Sequence, residues 1–181
     1  MFTTMYTPRF TITPKVTYDV EAIGAVFGYF RAVQLPENYK KELVSKVAAE
    51  TVHSSTAIEG NTLTQQQVED VLKGKKVTAL EEDIKEVQNY NKALSFVEEV
   101  SPDKDFQVSE AFLKQIQAML LQSINDDVAG KYRTKQVYVG DYLPPEHIRV
   151  PNLMKEFIDW IKNPTPENLS PVLYAGIIHY Q

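Results

Sequence analysis

The chain has no cysteine among its 181 residues, which removes disulfides, thiolate metal sites and thiol nucleophiles from consideration. A reducing compartment fits that absence. No apolar run approaches the roughly 18 residues needed to span a bilayer. The opening MFTTMYTPRFTITP also lacks the apolar core of a secretory signal. A cytoplasmic protein is therefore expected. Positive charge is short as well: 19 Lys and Arg against 24 Asp and Glu leave a formal net charge of -5, which argues against a surface built to neutralise nucleic-acid phosphates. The three histidines, His53, His147 and His179, share no i,i+3 or i,i+4 spacing, so no metal site is expected.

What is present suits a globular domain, with 43% hydrophobic and 24% charged residues. From Tyr18 to Val33, the apolar residues Val20, Ile23, Phe27 and Phe30 recur at helical spacing and predict an inward face. Leu35-Pro36 breaks that helix. Pro36 suits the first turn of a second, whose stripe is Leu43, Val44, Val47 and Ala48 and which runs into SSTAIEG. Thr64 followed by Gln67 reads as a capping box for a short helix over 65–73, stopped by Gly74.

Thr78 opens a long helix through Glu99 with Leu80, Ile84, Val87, Leu94 and Val97 inward. Its acidic residues at 81–83 are predicted to form a solvated first turn favoured by the helix dipole. Ser109 caps a fifth helix with Leu113, Ile116, Leu120 and Ile124 inward. In KYRTKQVYVGDYLPPEH, Val137 and Val139 alternate with polar or aromatic neighbours ahead of Gly140-Asp141 and two prolines, which predicts a short strand or hairpin. Pro151 starts a helix through Lys162 with Leu153, Phe157, Trp160 and Ile161 inward. The aromatic pairs Phe157/Trp160 and Phe27/Phe30 are read as core, and Arg133 as a structural, ion-pairing arginine.

The last segment, PVLYAGIIHYQ, is apolar almost throughout, as a central buried helix would be. It ends with neither a glycine cap nor a basic last turn. It reads as a helix cut in its middle, with a frayed terminus as the alternative.

On the residues alone, Glu59 is a solvated acid at a helix end followed by a glycine cap, and 137–139 a hairpin covering the core. Three segments taken together change this: SSTAIEGN, then GKYRTKQVYVGDYLPP, then the pair LMKEFIDWI and PVLYAGIIHYQ. In their order they resemble the N-terminal and central parts of a Fic-family (Fic/DOC) protein, over nearly the whole chain. The family's inhibitory motif, (S/T)xxxE(G/N), is matched by Ser55, Glu59 and Gly60, N-terminal to the core. Gly130 and Arg133 precede a segment like the family's target-binding flap.

The resemblance implies a mainly α fold: a helical bundle with a short β-hairpin flap at about 134–145, lacking the C-terminal catalytic loop and following helices. It divides the chain into 1–76, with the inhibitory helix and its motif at 55–60, and 77–181, a partial core. The family signature, HxFx(D/E)GNGRxxR, is expected a few residues beyond Gln181 and does not occur in the chain. His179 is not its histidine, and no catalytic residue is assigned.

The family reaction transfers AMP from ATP to a Tyr, Ser or Thr hydroxyl of a target protein. The resemblance implies that Glu59 pairs with a signature arginine that would otherwise hold the γ-phosphate, that Ser55 acts one turn away, and that Val137, Tyr138 and Val139 clamp the target by strand addition. ATP and Mg are expected with the intact protein and neither is held securely by these residues, so the chain alone is expected to be inactive. An unknown target protein is the expected partner, a homodimer is compatible, and neither membrane nor nucleic acid is expected. The alternative is a noncatalytic helical binding or inhibitory module that offers Glu59 to a partner in trans.

Overall fold

A computed structural model of the chain describes residues 6–164 and 166–180. It contains α1 Pro14–Ala32, α2 Glu37–Ile58, α3 Gln65–Leu72, α4 Glu81–Val100, α5 Glu110–Leu121, α6 Val150–Lys162 and α7 Pro171–Tyr180, with a 3-10 turn at His147–Arg149 before α6. The fold is mainly α. The backbone gathers into two compact units, one spanning Pro36–Ile148 and one made of the segments before Pro36 and after Ile148. The functional division expected at 76/77 falls inside the first of these, between α3 and α4.

In the unit Pro36–Ile148, α2, α3 and α4 pack on one another and α4 packs on α5. Val52, Leu63, Val68, Val71 and Val87 form the buried centre, with Leu72, Val77, Ile84, Tyr90 and Leu94 against it. Burying each such side chain is worth about 1.5 to 3 kcal/mol. The buried face of α2 is Ala49, Val52 and Thr56. This corrects the expected stripe, since Leu43, Val44 and Val47 are exposed. All the buried residues of α2 lie in its C-terminal half, where α3 and α4 pack.

The α3 capping box forms as the sequence predicts: the Gln67 N–H donates to Thr64 Oγ1 at 3.3 Å, and the Thr64 N–H donates to Gln67 Oε1 at 2.9 Å. Helix α4 begins at Glu81 rather than Thr78, because Leu80 is extended and two-thirds exposed (66%). Asn89, 1% exposed, donates through Nδ2 to the carbonyls of Leu120 (3.1 Å) and Gln122 (2.8 Å). It thereby satisfies backbone acceptors that the end of α5 would leave unpaired. Ser109 caps the other end of α5 by accepting from the Phe112 N–H at 3.1 Å.

In the other unit, Trp160 of α6 is 2% exposed, with the rings of Tyr6 and Tyr174 at 5.7 and 5.5 Å. The Tyr174 hydroxyl donates to the Ile161 carbonyl. Burial pushes the phenols of Tyr6 and Tyr174 above their usual range. Phe157 and Trp160 are core-facing as expected, but the α1 face is not. Ile23, Phe27 and Phe30 are exposed, and α1 has no buried residue, because nothing among the described residues covers that face. Of α7 only Ile177 is buried. Gln181, the last residue of the HYQ segment, lies outside the described residues.

Candidate functional site

Helix α2 carries the motif Ser55, Glu59, Gly60 at its C-terminal end, and Gly60 determines how the helix stops. Its φ of +104° is costly for any side-chain-bearing residue. The Gly60 N–H donates to the Ala57 carbonyl (3.1 Å) and the Asn61 N–H to the Thr56 carbonyl (3.1 Å). That pair of bonds is a Schellman turn, with Glu59 as the C-cap residue and Gly60 just past it. Glu59 is exposed and Ser55, one turn earlier, is half-buried. Among the described residues no lysine or arginine pairs with the Glu59 carboxylate.

The chain leaving Gly60 is tied to the first turns of α4. Asn61 Nδ2 donates to the Asp83 carbonyl at 3.0 Å and to Glu86 Oε2 at 2.7 Å, while its Oδ1 accepts from the Leu63 N–H at 3.1 Å. The Thr62 N–H donates to Asp83 Oδ2 at 3.2 Å, and the Thr62 hydroxyl donates to the same oxygen. Asp83 is 9% exposed. This corrects the solvated first turn expected for 81–83: Glu81 and Glu82 are exposed, but Asp83 turns inward to meet Thr62. Sequence reasoning missed Asn61, Thr62, Asp83 and Glu86. An Asn directly after a helix-ending Gly was the available signal, since Asn side chains favour local backbone bonds at turns.

The second group of candidate residues follows α5. Gly130, at φ +70°, donates its N–H to Gln117 Oε1. Lys114 sits over the Tyr132 ring, its Nζ 4.3 Å from the centroid, and pairs with Glu110 at 2.7 Å. The hydrogen bond from Lys114 holds the Glu110 carboxyl below its usual range, while burial, and then the Glu110 charge, push the Tyr132 phenol up. Arg133 donates from Nη2 to the Pro145 carbonyl, and no carboxylate pairs with it among the described residues. The expected ion pair is thus replaced by a bond to a backbone carbonyl.

Val137, Tyr138 and Val139 lie on this segment, 40%, 73% and 65% exposed. No strand forms here. A single antiparallel bridge joins Val139 and Tyr142, each donating its N–H to the other's carbonyl at 3.0 Å around Gly140-Asp141. Gly140 at φ +57° supplies the positive first central position such a tight turn uses. The ladder cannot continue because Pro144, opposite Val137, has no N–H to donate. The Gln136 side chain instead donates to the carbonyls of Val137 (3.2 Å) and Pro144 (3.0 Å). The motif and this segment belong to the same unit, and among the described residues no hydrogen bond or ion pair joins them.

Among the described residues no group of three His, Asp or Glu is placed to hold a metal ion. No helix of the described residues is long and apolar enough to cross a membrane.

A family model described as the Fic/DOC family matches residues 107–181. A protein named Protein adenylyltransferase Fic, from Nematostella vectensis, is 28% identical over 145 residues, covering 78% of this chain and 34% of that protein. Among solved structures, a Fic family protein from Desulfovibrio desulfuricans G20 superposes with a TM-score of 0.80 at 32% identity, covering 97% of this chain and 52% of the other. A Fic domain containing signaling protein from Bacteroides thetaiotaomicron shares the fold, with a TM-score of 0.77 at 23% identity over 90% of this chain and 63% of the other. The chain thus spans about a third of the length of the Nematostella relative.

Proposed function

We propose, from the premise that this chain belongs to the Fic/DOC family, that it is the N-terminal and central part of a cytoplasmic protein adenylyltransferase whose activity Glu59 restrains. The observation that carries the reading is the placement of Glu59: exposed at the C-cap of α2, one turn beyond Ser55, where Gly60 turns the chain away. A carboxylate so placed is free to take a guanidinium from outside these residues. Charge-assisted, two-pronged Arg–carboxylate pairs are about twice as strong as neutral hydrogen bonds and selective in geometry. An arginine held this way is withdrawn from the γ-phosphate of ATP.

ATP and Mg enter this reading with the family signature, whose residues supply the anion site and the base, and not with residues 1–181. The part these residues play is restraint by Glu59 and docking by the flap. Val137, Tyr138 and Val139 offer apolar surface to a target segment. Because Val139 already uses both backbone groups on Tyr142 and the Val137 carbonyl accepts from Gln136, strand addition would fall to the backbone of Tyr138.

The test is AMP incorporation from labelled ATP by the full-length protein and its Glu59→Gly variant. Loss of a charged hydrogen-bonded pair worth about 1.5 to 3 kcal/mol corresponds to a gain of roughly ten- to a hundred-fold. Equal incorporation by the two proteins would remove the inhibitory role.

A further inference from the structure

We infer that Asn61 and Asp83 are positioning residues for Glu59, forming a clamp that holds the end of α2 in its inhibitory orientation. The inference rests on the inhibitory reading of Glu59 and adds the means by which that carboxylate is aimed.

Helix α2 is fixed by packing only as far as Val52 and Thr56; beyond them Ala57, Ile58 and Glu59 are exposed, Ile58 at 83%. Nothing apolar holds that last turn. A helix end without tertiary contacts frays, and a carboxylate on a fraying turn cannot keep the geometry an arginine pair demands. What does hold the turn lies immediately after it. Asn61 donates to the Asp83 carbonyl and to Glu86 Oε2, at 3.0 and 2.7 Å, and Thr62 donates twice to Asp83 Oδ2.

Asn61 also donates, from its backbone, the bond to Thr56 that closes the Schellman turn around Glu59 and Gly60. One residue therefore joins the turn that presents Glu59 to the rigid start of α4. Asp83 is nearly buried (9% exposed), and its Oδ2 accepts from the two Thr62 donors. Truncating it leaves those donors without their acceptor and lets 61–62 move off α4.

A purely structural clamp would lower activity when broken, whereas a clamp that serves inhibition raises it. The experiment compares AMP incorporation from labelled ATP by the full-length protein with Asn61→Ala, Asp83→Ala, Asp83→Asn and Glu59→Gly, alone and combined with Glu59→Gly. The expected result is a gain of about five-fold or more for Asn61→Ala and Asp83→Ala, smaller than for Glu59→Gly. Asp83→Asn keeps an acceptor oxygen for Thr62 and should return most of the restraint. Neither clamp variant should add to Glu59→Gly, and the Glu59 and Gly60 amides should exchange with solvent several-fold faster in Asn61→Ala.

If Glu59→Gly activates while the clamp variants transfer AMP at the wild-type rate or below it, the clamp is overturned and the inhibitory glutamate stands. If Glu59→Gly itself changes nothing, the inhibitory reading falls and the clamp with it. Asn61 is only half-buried, so its variant decides the matter if Asp83→Ala fails to fold.

Discussion

Thr62 and Asp83 are joined through one carboxylate oxygen, which accepts both the backbone N–H, at 3.2 Å, and the hydroxyl of the threonine. The pair fastens the loop after α2 to the first turn of α4. Around it, the buried valines of α2, α3 and α4 supply the apolar stability, and Gly60 supplies the conformation that ends α2.

Gly60→Ala tests that conformation. An added Cβ would meet nothing within 4 Å, so the cost is backbone strain at φ +104° rather than a clash. A loss of about 1 to 3 kcal/mol in urea-unfolding stability is expected. An unchanged midpoint would show that α2 can end without the positive φ.

Asn89→Ala removes the side chain that serves the carbonyls of Leu120 and Gln122. The carbonyls of half-buried Leu120 and exposed Gln122 then lose that partner, and a destabilisation of about 1 to 3 kcal/mol is expected. Asn89→Asp should cost more, since it sets a carboxylate against two carbonyl oxygens. Urea denaturation of the three proteins checks the order.

The Glu110–Lys114 pair beneath Tyr132 gives a pH dependence of known sign. The Glu110 carboxyl titrates below its usual range because Lys114 bonds its ionised form. Its contribution is therefore present above the unfolded-state value and lost as pH falls through the lowered folded-state value. The difference in urea midpoint between wild type and Glu110→Gln should be present at neutral pH, vanish on acidification and shrink in high salt, since the pair is exposed. A difference that grows on acidification would contradict this.

Much of the helical layout was legible because caps and breakers are local. The Thr64/Gln67 box, the Ser109 cap and the Leu35-Pro36 break depend on residues within one turn of each other. Burial was less legible. Phe27 and Phe30 have the spacing of a core face yet are exposed, because periodicity states that a face is apolar and not what covers it. Asp83 shows the converse: an acid in a first turn reads as solvated, and only the return of Thr62 from 21 residues away turns it inward. In the segment after Arg133, the alternation of Val137 and Val139 suggested a strand, while the consequence of Pro144 lying opposite Val137 depends on a pairing register that alternation does not specify. The motif at Ser55, Glu59 and Gly60 could be found from the chain, but its mooring through Asn61 could not.

The most direct measurement is the rate of AMP transfer from labelled ATP by the full-length protein with Glu59 intact and with Glu59→Gly, at equal protein and ATP concentrations. A rise of roughly ten- to a hundred-fold in the variant, with its urea midpoint unchanged, is the expected result. Equal rates in the two proteins, or a lower rate in the variant, would contradict the account of Glu59 as the restraining carboxylate.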